Sequence, residues 1–440
     1  MLSFLFSRIA LVFVAFVAAA ASIIALLFLV FPKSTFEDTP ADLLPRDATL
    51  ALLEEITPRE LQTWSEILPV LQNVPPTPKQ GSSVALFENG WAILQPRTAE
   101  VPGAKTIGQF SVTASSPELF TLIERGSDRL SSLPTLRRST LPGASQRIYI
   151  RKDLLPSSHT LGDDLLRIFV KNTPGIALHS SASGAVLVWE NTSQQGETFS
   201  PWVSAPDADG FLALRNAEQH WTQVIDALPS ETARILSSLA ETSVHEHFGG
   251  DISWTFDVLP LLKDHTRIVT RRTESGALFL MEGQHDAPNA VFARMHKSVE
   301  QALPKSMIES NEFDARFSSD RLLADTSKIT KKTGKENGWD VQDTTLTNGR
   351  GLVTAIRGKD FLVSNDAEWM RERLKETSPV LQKLPSQGTS ILAGGQADAT
   401  ALRDHFQDSP LLTAILPSGG VFLWSLEQQN NVMMLRWSNR

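Results

Sequence analysis

Val84-Ala85-Leu86-Phe87-Glu88-Asn89-Gly90-Trp91-Ala92-Ile93-Leu94 is two apolar runs around an Asn-Gly pair. Asn-Gly supplies the two positive-φ positions of a tight turn, so the stretch predicts a hairpin. Antiparallel strands joined this way set the grammar for the rest of the chain.

On the amino-terminal side, Ala48-Thr49-Leu50-Ala51-Leu52-Leu53 reads as a first strand. Thr57-Pro58-Arg59-Glu60 is a helix start: Thr57 caps, Pro58 suits the first helical position, and Glu60 reaches back to the cap amide. Leu61, Trp64, Leu68 and Leu71 then share one helical face. On the carboxyl-terminal side come a strand at Phe110-Ser111-Val112-Thr113 and a helix start at Ser116-Pro117-Glu118. A strand at Arg147-Ile148-Tyr149-Ile150 and a helix over 161–171 follow. Two strands, Ile176-Ala177-Leu178 and Ala185-Val186-Leu187-Val188-Trp189, close this segment. Residues 191–209 read as a polar loop or domain junction.

Gly210 to Leu214 opens a second series. It continues with helices near 216–227 and 231–242, a helix that Asp251 could cap, strands at 266–271 and 276–281, and an amphipathic helix over 287–303. Residues 320–338 are basic and polar, including Lys328, Lys331, Lys332 and Lys335. The tail then repeats the earlier order. Thr347-Asn348-Gly349-Arg350 resembles the turn at 88–91, and Leu352 to Ile356 is the strand after it. Phe361-Leu362-Val363-Ser364 matches Phe110-Ser111-Val112-Thr113, and a capped helix follows both. Ser390 to Ala393 stands where Ile148 to Ile150 stood, and Ser418 to Trp424 where Ser183 to Trp189 stood. The predicted fold class is α+β: two related units, 47–205 and 206–440, the second with a helical insertion. Each is a mostly antiparallel sheet with helices on one face.

Ile9 to Phe31 carries no charge over 23 residues. A helix of that length spans about 35 Å, enough for a hydrocarbon core of about 30 Å. Cleavage of a signal peptide after the Ala18 to Ala21 run would leave Ile23 to Phe31 exposed on the mature end, so the uncleaved anchor is the better reading. The order is then a cytoplasmic segment 1–8, a transmembrane helix 9–31, a linker 32–46 and a bulk outside the plasma membrane.

Composition fits a globular chain, at 41% hydrophobic and 20% charged. The absence of cysteine excludes disulfides, thiolate metal sites and cysteine nucleophiles. A net charge of −8 argues against a nucleic-acid partner and against general attraction to anionic lipid heads.

Leu44-Pro45-Arg46-Asp47-Ala48-Thr49 resembles the opening of a bacterial membrane-anchored family defined by a domain of unknown function. Gly250-Asp251 with Asp257-Val258-Leu259-Pro260 before Arg267-Ile268-Val269, and Phe361-Leu362-Val363-Ser364-Asn365-Asp366, are similar to two further features of that family. The aromatic residue that usually follows the opening is Leu50 here. The resemblance implies a membrane helix followed by repeated α+β units and brings no catalytic residue.

The candidate metal ligands are His245, His247 and Asp251. On a strand the two histidines share a face; on a helix they diverge by about 200°. Surface or capping roles are the plainer reading, and no cofactor is expected. Asp163-Asp164 sits at a helix start, where the dipole favours negative charge. The run from Lys328 to Lys335 reads as a solvated loop, or as a contact for an acidic partner or lipid heads. Asn191-Thr192-Ser193 is a formal glycosylation sequon, and the tryptophans read as core. There is no Gly-x-Ser-x-Gly elbow and no phosphate-binding glycine loop. The expected function is therefore a non-catalytic binding or scaffolding component of the cell envelope, partnered by another envelope protein. The alternatives are a carrier or chaperone for an apolar ligand and an envelope hydrolase without a recognisable motif.

Overall fold

The computed structural model describes residues 39–439, apart from 76–80, 98–102, 137–145, 156–159, 171–172, 182–183, 191–196, 205–207, 274–275, 303–304, 315–316, 325–328, 347–349, 377–380, 389, 418 and 430–431. The segment 1–8, the apolar stretch Ile9–Phe31, the sequon at Asn191, the Asn348-Gly349 turn and Lys328 lie outside the described residues. Among the described residues no helix is long and apolar enough to cross a membrane.

Folding begins within the predicted linker. Thr39 and Asp42 close a capping box, with Thr39 N donating to Asp42 Oδ2 at 2.6 Å. The box starts a one-turn helix, α1 (Pro40–Leu43), and Ala41 and Leu44 are fully buried. Residues 39–46 are thus part of the folded body, which corrects the linker bounds. β1 (Thr49–Ile56) follows. The capping box of α2 (Pro58–Ile67) forms as expected: Thr57 N donates to Glu60 Oε2 at 2.8 Å, and Glu60 N to Thr57 Oγ1 at 3.3 Å.

The first half continues as β2 (Ser82–Phe87), β3 (Gly90–Pro96), β4 (Lys105–Ile107), β5 (Phe110–Ala114), α3 (Pro117–Arg125), β6 (Gln146–Arg151), α4 (Leu161–Val170), β7 (Gly175–Ser181) and β8 (Gly184–Glu190). The second half holds β9 (Trp202–Ser204), β10 (Gly210–Leu214), α5 (Ala217–Ala227), α6 (Ser230–Phe248), β11 (Thr266–Thr273), β12 (Gly276–Gln284), α7 (Asn289–Ala302) and β13 (Lys305–Asp314). It ends with β14 (Phe317–Ala324), β15 (Ile329–Glu336), β16 (Trp339–Leu346), β17 (Arg350–Arg357), β18 (Asp360–Asp366), α8 (Ala367–Lys375), β19 (Leu381–Lys383), β20 (Ala393–Asp398), α9 (Ala399–His405), α10 (Pro410–Ile415), β21 (Val421–Gln429) and β22 (Val432–Asn439).

The protein is α+β, with one large antiparallel sheet. The pairings give the order β4-β5-β3-β2-β1-β6-β7-β8-β22-β21-β20-β10-β11-β12-β18-β17-β16-β15. The two halves therefore share one sheet, joined where Leu187 of β8 faces Leu435 of β22. A hairpin, β13–β14, and a two-stranded ladder between distant segments, β9–β19, form separate small sheets.

Helices cover both faces, not one. Leu61 and Trp64 of α2, Leu166 of α4 and Leu411 of α10 pack on one face of the first half, and Leu119 and Ile123 of α3 pack on the other. In the second half Phe292 and Met295 of α7 cover one face, and Trp369 and Met370 of α8 the other. A strand buried on both sides has no polar face, so β2 is buried along its whole length and its Val84–Phe87 part reads as a continuous apolar run.

Three local expectations change. The Asn89-Gly90 turn has a positive φ at Gly90 only, where an added Cβ would meet Ser115 Oγ at 2.0 Å. The turn with two positive-φ positions is Asn337-Gly338, between β15 and β16 (φ 48° and 82°). Asp251 caps no helix. Ser253 caps a π-turn over Trp254–Val258, accepting from Phe256 N, and a 3₁₀ turn over Leu259–Leu262 continues it. From Ile329 on, the run from Lys328 to Lys335 is not a loop either. Lys331, Lys332 and Lys335 lie on β15, the edge strand of the sheet, where exposed lysines discourage pairing with another chain.

Candidate functional site

One row of residues, each facing the next across neighbouring strands, positions the polar chemistry. It runs Arg147, His179, Val186, Arg436, Ser425, Gly394, Ala213, Arg267 and Glu282. Direct cross-strand partners share a face. The row therefore lines one side of the sheet from the first half into the second.

Its second-half end opens into a cleft of about 1230 Å³. Ala213, Arg267, Glu282 and Leu362 contribute to the lining from four successive strands. Arg373, Leu374, Lys375 and Glu376 at the end of α8 add to it, as do Phe199, Ser200 and Trp202, the Asn337 turn with Trp339, and Arg357 with Asp360. Five cations face three carboxylates, so the lining is net positive in a chain whose net charge is −8.

Glu282 organises the base. Its Oε2 lies 2.5 Å from Arg267 Nη2, and its Oε1 lies 2.5 Å from Arg373 Nε. Burial pushes its carboxyl up, but the two guanidinium groups outweigh burial and hold it below the usual carboxylate range. Glu282 is thus a fixed anion between two cations, not a proton donor near neutral pH. Arg373 also pairs with Glu376. Arg215 and Arg357 are held loosely: Glu197 is 3.7 Å from the first, and Asp360 is 3.8 Å from the second. Arg357 lies over the Trp339 ring at 4.4 Å. His265 stacks on Phe199 at 5.2 Å; desolvation, then Arg215 and Arg267, hold its ring below the ordinary value and neutral at pH 7. Trp202 is 54% exposed, against the expectation that the tryptophans are core.

The first-half end of the row is closed by packing. Arg147 Nε lies 2.6 Å from Glu54 of β1, whose carboxyl burial pushes up to about 7 against the opposing pull of Arg147. His179 Nε2 is 2.9 Å from the Thr135 carbonyl oxygen, and burial holds this ring down to about 4. Arg436 pairs with Glu427 at 3.3 Å. These groups hold strands together.

His245 and His247 lie on α6, so the helix turns them apart. His245 pairs with Glu241 at 3.4 Å, His247 packs on Phe279 at 5.1 Å, and Asp251 is exposed in the turn beyond. Among the described residues no group of three or more His, Asp or Glu side chains is placed to hold a metal ion. Asp163 and Asp164 lie in the first turn of α4, as expected, and both are buried: Asp163 accepts from Ser409 Oγ and Asp164 from Thr232 Oγ1, each at 2.5 Å.

Sequence reasoning passed over Arg267, Glu282 and Arg373. A signal existed: Glu282 interrupts the apolar run of β12, and the hairpin register sets it opposite Arg267. No protein-family model and no curated protein matches the chain.

Proposed function

We propose that this chain is a membrane-tethered, extracytoplasmic binding component of the cell envelope, and that the second-half cleft is where it recognises an anionic partner. The observation that carries the reading is Glu282 fixed between Arg267 and Arg373, within a lining of five cations and three carboxylates. Glu282 offsets one charge of the Arg267–Arg373 pair, and the loosely held Arg215 and Arg357 remain to meet an anion. The charged lining favours this over a carrier for an apolar ligand, whose pocket would be mostly hydrophobic. The ionised, doubly paired Glu282 favours binding over acid catalysis. The tether is Ile9–Phe31, by its length and lack of charge. The opening Leu44-Pro45-Arg46-Asp47 fits the membrane-anchored family with repeated α+β units.

The two halves, in this reading, are copies of one ancestral unit. The order β5-β3-β2-β1-β6-β7-β8 corresponds to β18-β12-β11-β10-β20-β21-β22. α3 and α8 follow β5 and β18 in turn. This supports duplication but departs from the sequence alignment twice: β12, not the β17 strand at 352–356, takes the place of β3, and the tail shifts by one strand. β21 takes the place of β7, and β22, which the sequence reading passed over, takes the place of β8.

Thermal denaturation of the full chain in detergent tests the binding claim. Citrate at low salt is expected to raise the melting temperature, since a ligand of the folded state stabilises it. Arg215→Ala with Arg357→Ala is expected to remove most of the rise. A rise with a neutral long-chain lipid and none with citrate would favour the carrier instead.

A further inference from the structure

The cleft carries more than positive charge, and its other groups narrow the ligand class. Trp202 and Trp339 come from separate segments and both line it, with Trp202 more than half exposed at 54%. An exposed indole is a poor structural investment of apolar surface but a good platform for the C–H face of a sugar ring, which the negative face of the aromatic system attracts. Two amides, Asn337 and Gln284, line the cleft as well. Asn337 is held by a bond from Nδ2 to the Leu374 carbonyl oxygen (3.1 Å), and Gln284 by a bond from Nε2 to Asp360 Oδ1 (2.9 Å). Pre-oriented amides suit hydroxyl groups, which both donate and accept.

The volume of about 1230 Å³ exceeds the range of roughly 300–1,000 Å³ for compact ligands and suits a short polar chain. The charges are mixed: Asp360 and Glu376 stand among the cations. A phosphodiester chain has few neutral polar groups between its charges to set against these carboxylates. A uronate oligomer carries hydroxyls on every ring between its carboxylates, and these can donate to Asp360 and Glu376.

We propose that the cleft takes an acidic oligosaccharide, with carboxylates on Arg215, Arg357 and Lys375 and ring faces on Trp202 and Trp339. This rests on reading the cleft as the anion-binding site. Planar guanidinium forks match a carboxylate's two oxygens.

The test is isothermal titration of the full chain in detergent with three probes: tetragalacturonate, its methyl ester and a ten-residue oligothymidylate. Tetragalacturonate is expected to bind, and the ester at least about tenfold more weakly, the factor for losing one good charged contact. Trp202→Ala and Arg357→Ala, both at exposed side chains, are each expected to weaken the acid by about tenfold. Ester binding equal to acid binding would overturn the assignment. So would loss with Arg357→Ala but not with Trp202→Ala. Oligothymidylate binding that Arg357→Ala abolishes, with none for tetragalacturonate, would overturn the glycan class and leave the cleft an anion site. No binding of either acid would overturn both.

Discussion

Asp163 and Ser409 stand 246 residues apart in the chain, and Ser409 Oγ donates to Asp163 Oδ1 at 2.5 Å inside the protein. Asp163 belongs to α4 of the first half, and Ser409 stands at the N-cap position of α10 of the second, with its hydroxyl turned to Asp163 and not to the helix. Beside them Asp164 accepts from Thr232 Oγ1 of α6. The paired carboxylates therefore tie the halves together on the helical face, as β8 and β22 do in the sheet. Buried carboxylates that accept such bonds are costly to leave alone. Asp163→Ala and Ser409→Ala should each destabilise by about 1–3 kcal/mol. Their double-mutant cycle should give a coupling energy of at least about 1 kcal/mol by urea denaturation, where unlinked sites would add to within about 0.5 kcal/mol.

His296 gives a pH prediction. Its Nδ1 is 2.9 Å from Thr344 Oγ1 and its Nε2 2.8 Å from Thr354 Oγ1, and burial holds it down to about 4. The folded state binds this proton less readily than the unfolded chain does. Its contribution is therefore intact above about 6.5 and is lost as pH falls toward 4. At pH 5 the loss should be about 2 kcal/mol. Glu54, pushed up to about 7, acts oppositely: its contribution is present below the unfolded value and is lost as pH rises through 7. His296→Gln should be less stable than the parent at pH 7.5 and lose about 2 kcal/mol less than it on going to pH 5, read from denaturant midpoints. An unchanged pH dependence would contradict the assignment.

Glu282→Ala should cost about 3 kcal/mol, because it removes the carboxylate that buried Arg267 and partly buried Arg373 share and leaves Arg373 with Glu376. Arg357→Ala, at an exposed side chain, should cost less than about 1 kcal/mol. Equal losses in the two variants would mean that Glu282 is not the organising anion.

The lysines of β15 should matter for solubility. Replacing Lys331, Lys332 and Lys335 with threonine removes the charges from the edge strand. The variant should form concentration-dependent oligomers in size-exclusion chromatography while its melting temperature moves little.

Local chemistry was legible and long-range pairing was not. Thr57 and Glu60 announce their capping box within four residues, and both bonds form. The apolar runs at 84–87 and 176–178 lie on strands, as their turn residues Asn89-Gly90 and Pro174-Gly175 suggest. β15 was misread because its residues are exposed and mostly polar, so only pairing with β16 reveals a strand. β22 was passed over because Met433, Met434 and Arg436 break the β-branched signature, though the strand is flanked on both sides. The cleft depends on strands, turns and a helix end gathered from residues 199 to 376, a distance no window of sequence covers.

The claim that the cleft attracts anions can be read from Trp202, which is 54% exposed and lines it. The measurement is collisional quenching of tryptophan fluorescence in the full chain by iodide and by caesium at equal, low ionic strength. A positive cleft in a chain of net charge −8 should make iodide the stronger quencher, and the difference should shrink in Trp202→Phe and at high salt. Caesium quenching equal to or stronger than iodide quenching would contradict the account.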